Sequence, residues 1–380
     1  MIKPTLMVAT VIMIAGCAGT APIDPLAPVP TRVDPDDIAT PQLRQAWAVT
    51  RTTDADEIEV PTHAAAVGDH LVFVAYPGRV EALDLQGDTQ WSMQPPNALA
   101  HRPIALNGGV ALASESGWLW VDATGATRAR IELGAVINDV VVVPQGLVVI
   151  GDELVYLLAL DSSDDLVAPW QQAFSGGRRA SADPDGESVF ISNADGSLSC
   201  INASTGVVRW RSTEVEVAPL RPAVGKAVYV VSQSGRVYSI RARDGKRRWA
   251  GKDVGMRVTA SPVVVDGLVW VPGMDAAAHA FTAAAGSHQF RVPGNGRIYL
   301  DLAIWGPWVI VSPQYGPWVI LEGPRNRTGP ANPGNPTVLN IASSDDIPVP
   351  PGVGAVGVVV IDAAGTVRLL TPQRGAGESP

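Results

Sequence analysis

The sequence predicts an all-β protein, an eight-bladed β-propeller of four-stranded antiparallel blades, on three observations. Apolar residues come in short runs rich in Val and Ile, and no long segment has helical periodicity. A motif that runs from a Gly through alternating apolar residues and a turn to a Trp recurs about every 40 residues. Gly (38) and Pro (32) are abundant and charged residues make up only 17%, which is typical of many turns between short buried strands.

The N-terminus predicts an address in the cell envelope. Residues 1–16 carry one Lys and then an apolar stretch, Leu6 to Ile14, which is too short to span a bilayer and is typical of a signal-peptide core. The ending Ile14-Ala-Gly-Cys17 resembles the bacterial lipobox, in which the cysteine thiol carries the lipid. The alternative is an ordinary signal peptide in which this cysteine is accidental.

The lipobox resemblance implies a location, and the next residues imply how far the folded part lies from the lipid. Residue 18 is Ala rather than Asp, which implies the outer membrane, facing the periplasm, if the host has two membranes. In a host with one membrane the anchor lies on the outer face of the cell membrane. Residues 17–41 are interpreted as the lipidated Cys and an extended Pro-rich tether, 42–372 as the propeller, and 373–380 as a flexible tail.

The repeated motif is clearest in three copies, Gly78–Trp91, Gly196–Trp210 and Gly235–Trp249, with degenerate copies at 117–125 and 357–365. A fixed period with about four strand signals per unit is typical of propeller blades, each of which buries its faces against its neighbours. The residues that close each unit are Trp47, Trp91, about Ile131, Trp170, Trp210, Trp249, Phe290 and about Arg327. We expect the five tryptophans of this series to be structural and to lie at blade junctions, in preference to forming a ligand-binding box.

The two ends of the repeat region predict how the ring closes. Trp47 comes before the first complete unit, and the last copy, from Gly357 to about Leu370, has no Trp after it. The strand around Leu43–Val49 is therefore expected to complete the last blade. This arrangement gives eight blades, and seven is the fallback because residues 325–350 are irregular and their role stays open.

The motif resembles the PQQ-like repeat, and Gly78-Arg-Val-Glu-Ala-Leu-Asp, closing on Gly87-x-x-x-Trp91, matches it almost letter for letter. The resemblance covers about 330 residues. Such repeats occur in quinoprotein dehydrogenases and in non-catalytic lipoproteins of the BamB family, and the lipobox, tether and length resemble the second. This resemblance implies a lipid-anchored scaffold for protein–protein interaction in outer-membrane β-barrel assembly, a monomer within a complex of envelope proteins such as the β-barrel assembly machinery.

Two departures from the BamB pattern concern the partner. Where that family has an Asp-x-Asp pair before a Thr-Pro-Val-Val strand, this chain has Arg257 and Thr259. A Leu-Arg pair is present at Leu220-Arg221, but its offset from Pro222 differs from the family's. The fold expectation is unaffected, whereas the chain is expected to be a divergent relative with a different partner.

The residues predict no catalytic site, no cofactor and no metal ion. Cys200 occupies a small-residue position of the motif and has no vicinal Cys, which a PQQ enzyme would bring, so we expect a buried structural thiol. The net charge of −9 disfavours nucleic acid as a partner. An enzyme would need charged side chains that converge on the central channel. The histidines lack metal-ligand spacing; they are His63, His70, His101, His279 and His288.

One duplication suggests a second kind of function. Trp305-Gly-Pro-Trp308-Val-Ile and Tyr315-Gly-Pro-Trp318-Val-Ile repeat within one unit. These aromatics are either packed inside the blade or exposed as a patch that grips a peptide or a glycan. The second interpretation gives the alternative function, an envelope-anchored binding protein for a polysaccharide or peptidoglycan.

Overall fold

A computed structural model describes residues 31–32, 43–52, 57–63, 65–133, 136–254, 257–293, 296–306, 308–312, 318–322, 337–341, 350–354, 356–362 and 364–372. The chain divides into residues 1–30 and 31–380, and all described residues belong to the second unit. The predicted signal peptide, Cys17 and the predicted tail lie outside the described residues. No helix long and apolar enough to cross a membrane is present among the residues given above.

The described strands form eight blades of four antiparallel strands, so the fallback of seven is not needed. Blades 1 to 3 are Ala66–Val67, Val72–Tyr76, Arg79–Leu83 and Thr89–Met93; Ile104–Leu106, Gly109–Ser114, Gly117–Val121 and Thr127–Ile131; Ile137–Val143, Gly146–Gly151, Leu154–Leu160 and Leu166–Ala173. Blades 4 to 6 are Gly177–Ala182, Ser188–Asn193, Leu198–Asn202 and Val208–Ser212; Ala223–Val224, Val228–Val231, Arg236–Ile240 and Arg247–Asp253; Val263–Val265, Leu268–Gly273, Ala277–Thr282 and His288–Pro293. Blade 7 is Ala303–Trp305, Trp308–Val311, Trp318–Glu322 and Thr337–Ile341, and blade 8 is Gly352–Gly354, Gly357–Ile361, Val367–Pro372 and Leu43–Val49.

The order of the strands places the first strand of each blade nearest the axis. First strands of neighbouring blades contact one another at most junctions, including the junction between blades 8 and 1. Leu43–Val49 pairs antiparallel with Val367–Pro372, so both ends of the repeat region lie in blade 8, which confirms the predicted closure. Each sheet is itself open, and the ring is held by packing between sheets rather than by strand pairing.

Two short elements lie outside the eight sheets of four. Thr31–Arg32 pairs in parallel with Phe290 and Arg291 and adds a fifth strand to the outer edge of blade 6. Arg51–Thr52 and Ile58–Glu59 form a two-stranded ribbon between blade 8 and blade 1. The outer edge of at least one blade therefore accepts an additional strand.

The core consists of the apolar layers between blades. Phe73 and Ala82 of blade 1 pack with Val110 and Leu112 of blade 2, and each of the four is at most 1% exposed. Because the middle strands are buried on both faces, their residues form nearly continuous Val-, Ile- and Ala-rich runs. These runs explain why the sequence has short apolar segments instead of helical periodicity.

At five junctions a Trp of one blade packs on the turn Gly of the next. The pairs are Trp47 with Gly87, Trp91 with Gly125, Trp170 with Gly206, Trp210 with Gly245, and Trp249 with Gly286. At Gly245, φ is +71° and an added Cβ would lie 2.6 Å from the Trp210 ring, so both backbone and space require Gly. The Trp210 indole N–H also donates to the Ala242 carbonyl, 2.8 Å away, and Trp91, Trp170 and Trp249 make the equivalent bond.

Blade 2 departs from the predicted pattern. The sequence placed its closing residue at about Ile131, whereas the register places Ala129 there, opposite Trp120. In other blades the small residue is on the third strand and the large one on the fourth, as with Cys200 opposite Trp210. The bulky residue has therefore moved to the third strand. Phe290, in contrast, occupies the Trp position of blade 6 and is 2% exposed, and the position near Arg327 lies outside the described residues.

Candidate functional site

The segments that lead into the first strands meet around a cavity of about 710 Å³ at the mouth of the central channel. They meet because the blades repeat one topology, so the first strands run in the same direction and begin at the same end. Polar residues line part of the cavity: His63, His101, Arg102, Asn138, Arg179, Arg221 and Asp301. Apolar residues line the rest: Ile137, Leu302, Ile304, Pro350, Pro351 and Val353.

Asp139, which follows Asn138, is the buried acid behind this lining, with an exposure of 0%. Its Oδ1 accepts the Val140 N–H (2.9 Å) and contacts the Arg221 guanidinium, and its Oδ2 accepts the Ala180 N–H (2.8 Å). Burial raises the pKa of Asp139, while Arg221 and the two backbone donors oppose that rise. Because both oxygens are engaged, this carboxylate organises the mouth instead of acting as a free base.

A chain of hydrogen bonds connects blades 3 to 7 behind the cavity. Arg221 donates from its guanidinium to the Ala180 carbonyl (3.2 Å) and from its backbone N–H to Ser261 Oγ (3.0 Å). The Ser261 N–H in turn donates to Asp301 Oδ1 at 2.7 Å. Each link joins residues 40 or 41 positions apart, which is one blade. Changing one member therefore leaves polar groups on neighbouring blades without their partners.

Arg102 differs from Arg221 because its guanidinium has no hydrogen bond or ion pair with any described residue. The side chain is exposed to the cavity, but protein surrounds it. Burial and the nearby Arg221 lower the pKa of Arg102, and Asp139 and Asp301 partly offset this effect. Arg179 donates to the Asn138 carbonyl at 3.2 Å and lies 3.9 Å from Asp139. The mouth therefore carries guanidinium charge that the acidic residues of the described part of the chain do not fully neutralise.

Two histidines complete the polar side. Burial, together with the Arg102 charge, lowers the pKa of His101 to about 4, although a hydrogen bond with the Arg102 carbonyl (3.1 Å) opposes this. Burial also lowers the pKa of His63, whose Nδ1 lies 2.8 Å from Thr62 Oγ1. At neutral pH both imidazoles are expected to be uncharged hydrogen-bonding groups.

The aromatic duplication is only partly described. Trp305 is 9% exposed and packs in a core cluster with Ile310 and Val358, and its ring centroid lies 5.1 Å from that of Trp308. Trp305 therefore packs inside the molecule rather than forming the exposed patch. Trp318 lies in a described strand, but its side chain and all of Tyr315 are outside the described residues.

Two other sequence predictions concern thiols and histidines. Cys200 is 1% exposed opposite Trp210, and burial raises the pKa of its thiol to about 11. Strand pairing brings His279 within 3.2 Å of His288, and Asp275 lies 3.1 Å from the other His279 nitrogen. No group of three or more His, Cys, Asp or Glu side chains among the described residues has the geometry of a metal site.

Comparison with known proteins identifies the family. A family model described as "Outer membrane protein assembly factor BamB" matches residues 78–297, which is more than half of the chain. The chain belongs to the BamB family. No curated protein shows significant sequence similarity to this divergent BamB-family member.

Solved structures agree with the BamB-family fold. BamB from Moraxella catarrhalis has a TM-score of 0.65 at 16% identity, over 87% of this chain and 99% of that one. The Dos1 propeller has a TM-score of 0.66 at 12% identity, over 88% and 96%. The WD40 domain of Neurospora crassa Pan2 has a TM-score of 0.55 at 12% identity, over 88% and 96%. At these identities the structural likeness establishes the propeller alone.

The departures from the BamB pattern now have positions in this BamB-family propeller. Arg257 is exposed, and the buried Thr259 hydroxyl has no hydrogen-bond partner among the described residues. Arg221 is committed to Asp139. The sequence pattern identified Arg221 only as part of a Leu-Arg pair and did not indicate the cluster at the channel mouth. The period of the blades is the signal that could have indicated it. Charged or polar residues directly before, or at the start of, successive first strands belong to one ring.

Proposed function

We propose that this chain is a lipid-anchored, non-catalytic scaffold that holds partner proteins at the outer membrane during outer-membrane protein assembly. The observation that carries the proposal is the match of the BamB family model to residues 78–297. The eight blades form a rigid support, and the lipobox-like Ile14-Ala-Gly-Cys17 supplies the anchor. The predicted tether of residues 18–41 would hold the propeller away from the lipid surface only through residues 18–30, because Thr31–Arg32 pairs with blade 6.

Two surfaces suit a protein partner. Turns at the two ends of the blades present loop residues, and outer strands present unpaired backbone groups to which a partner strand can add. Thr31–Arg32 already uses the outer edge of blade 6 in this way. Because Arg257 and Thr259 replace the Asp-x-Asp pair of the BamB family, the partner's matching surface should differ in charge from that of the usual BamB partner.

The test is crosslinking in the native envelope followed by identification of the captured proteins. A photoreactive residue at exposed position Arg257 samples the predicted partner surface, and one at exposed Val208 samples an outer strand. Capture of β-barrel assembly subunits at position 257 supports the proposal. Retention of the protein on purified cell-wall material, with no protein crosslinks, would instead support the polysaccharide- or peptidoglycan-binding alternative.

The anchor has a separate test. Cys17→Ser should move the protein from the membrane fraction to the soluble fraction without changing its propeller fold, because residue 17 lies outside the described propeller. Persistence of the Cys17→Ser protein in washed outer membranes would contradict the lipid anchor and leave the scaffold proposal to the crosslinking result.

A further inference from the structure

The cavity at the channel mouth has two chemically different sides. Arg102, Arg179 and Arg221 come from blades 2, 4 and 5. An apolar wall, defined here as Leu302, Ile304, Pro351 and Val353, comes from blades 7 and 8 and the segments leading into them. In a ring of eight blades, blade 4 lies opposite blade 8, so the Arg179 side of the cavity faces the apolar wall.

The charges on the polar side are unequal. Asp139 contacts Arg221 and lies 3.9 Å from Arg179, and among the described lining residues Asp301 is the other acid, so three guanidinium groups face two carboxylates. Asp301 also accepts the Ser261 N–H, which occupies one of its oxygens. A positive excess therefore exists inside a protein whose overall charge is −9. Because protein surrounds Arg102, its interaction with a ligand is screened less than that of a surface charge.

We propose that this cavity binds a small amphipathic organic anion, a carboxylate or phosphate monoester joined to an apolar chain. Arg102 and Arg179 hold the anionic oxygens, since a guanidinium group matches the geometry of either headgroup. The apolar wall packs against the chain. A volume of about 710 Å³ is within the range of small-molecule sites and is much larger than a bare inorganic anion fills.

The site differs in kind from the protein-binding surfaces proposed above. Loop and edge surfaces need no enclosed cavity, whereas guanidinium groups and an apolar wall that line the same cavity can contact only a ligand that enters the mouth. The purified chain should therefore bind the small ligand in this cavity without any envelope partner. Failure of ligand binding and failure of crosslinking are thus independent results.

Isothermal titration of the full chain with hexyl phosphate, n-hexanoate, hexylamine and inorganic phosphate tests the proposal. We expect at least one of the two amphipathic anions to bind, and which one binds identifies the headgroup. Hexylamine should not bind, and inorganic phosphate should bind at least about tenfold more weakly because it cannot use the apolar wall. Arg102→Gln should weaken binding of the amphipathic anion by about tenfold or more.

Two further variants separate the two sides of the cavity. Arg178→Gln is the matched control for Arg179→Gln, because Arg178 is the adjacent residue and pairs with Asp152 outside the cavity lining. Ile304→Asn removes part of the apolar wall at a position that is 39% exposed, so the variant should fold. This substitution should weaken the binding of hexyl phosphate or hexanoate by about fivefold and leave the affinity for inorganic phosphate unchanged.

Several results would overturn the proposal. Absence of binding by both amphipathic anions to the folded wild-type chain would exclude it. So would equal affinity in wild type, Arg102→Gln and Arg179→Gln, provided that near-ultraviolet circular dichroism shows the variants folded. Equal affinity for inorganic phosphate and hexyl phosphate would contradict the apolar half of the site.

Discussion

The outer blade junctions and the channel mouth are built by the same repeat but follow different rules. At five junctions the same contact recurs, a Trp on a turn Gly of the next blade. At the mouth, residues at corresponding places differ from blade to blade, as with Arg102, Asp139 and Ser261. At each outer junction the two blades that pack together have nearly the same shape, so the same Trp–Gly contact fits at every one. Residues at the mouth also line one shared cavity, so their side chains can differ from blade to blade.

The two regions also differ in how they stabilise the fold. An outer junction combines apolar burial with one indole hydrogen bond, so its contribution is local and nearly independent of other junctions. At the mouth, Asp139, Arg221, Ser261 and Asp301 satisfy one another across several blades. Loss of one member exposes its partners' unmet charge or hydrogen-bonding capacity, so the effect should exceed that of a single junction.

The largest expected effect is therefore at Asp139. Asp139→Asn removes the buried negative charge beside Arg221 and places an amide N–H₂ group against backbone N–H donors. The free energy of unfolding should fall by about 4 kcal/mol, in the range for breaking a buried ion pair. Urea denaturation followed by intrinsic tryptophan fluorescence measures this change.

Asp152→Asn is the matched control for that prediction. Asp152 belongs to the same blade and also pairs with an arginine, Arg178, but both side chains are more than 40% exposed. Its loss should change the free energy of unfolding by less than about 1 kcal/mol. Similar losses of unfolding free energy for Asp152→Asn and Asp139→Asn would mean that the mouth network contributes no more to stability than a surface ion pair.

A smaller loss is expected at an outer junction. Trp210→Ala removes the ring that covers Gly245 and the bond to the Ala242 carbonyl, and should lower the free energy of unfolding by about 3 kcal/mol. Val208→Ala, in the same strand but 47% exposed, should change it by less than about 0.5 kcal/mol. A loss at Trp210 as small as that at Val208 would show that the junction contact is not a main support of the ring.

The outer region was predictable from sequence because its rules are local and repeated. The recurring Trp and turn Gly gave the blade count, and Trp47 with the missing final Trp gave the closing strand. In blade 2 only the closing position differs from the prediction, since Ala129 rather than Ile131 lies opposite Trp120 and the large residue is on the third strand. A motif search that looks for a large residue on the fourth strand stops at Ile131, two positions beyond Ala129 in the same strand.

The mouth was not predictable in the same way, because the residues that bond to one another there are about 40 to 82 positions apart in sequence. Arg221 and Asp139 are 82 positions apart, and neither belongs to a recognisable catalytic or metal-binding motif. Only the blade geometry brings them together. The aromatic repeat around Trp305 is the reverse case. It is local and easily seen in the sequence, but it does not reveal which side chains the blade buries, and Trp305 is buried.

The smallest expected effect sharpens the comparison through pH. His101 has a folded-state pKa of about 4, below the ordinary value of 6.5, so as pH falls below 6.5 the unfolded chain takes up a proton that the folded chain does not. Stability should therefore decrease with acidification, by roughly 2 kcal/mol from this group between pH 7 and pH 5. His101→Gln should remove that part of the slope of unfolding free energy against pH.

His70→Gln is the matched control, because it makes the same substitution at an exposed histidine outside the cavity lining. The outer junctions contain no equivalent titrating group at Trp210 or Gly245, so Trp210→Ala should lower the whole pH curve without changing its slope between pH 7 and pH 5. If His101→Gln and wild type instead ran parallel over this interval, His101 would not be an acid-sensitive group of the mouth. The difference between the apolar outer junctions and the charged mouth would then be supported only by the loss of stability expected for Asp139→Asn.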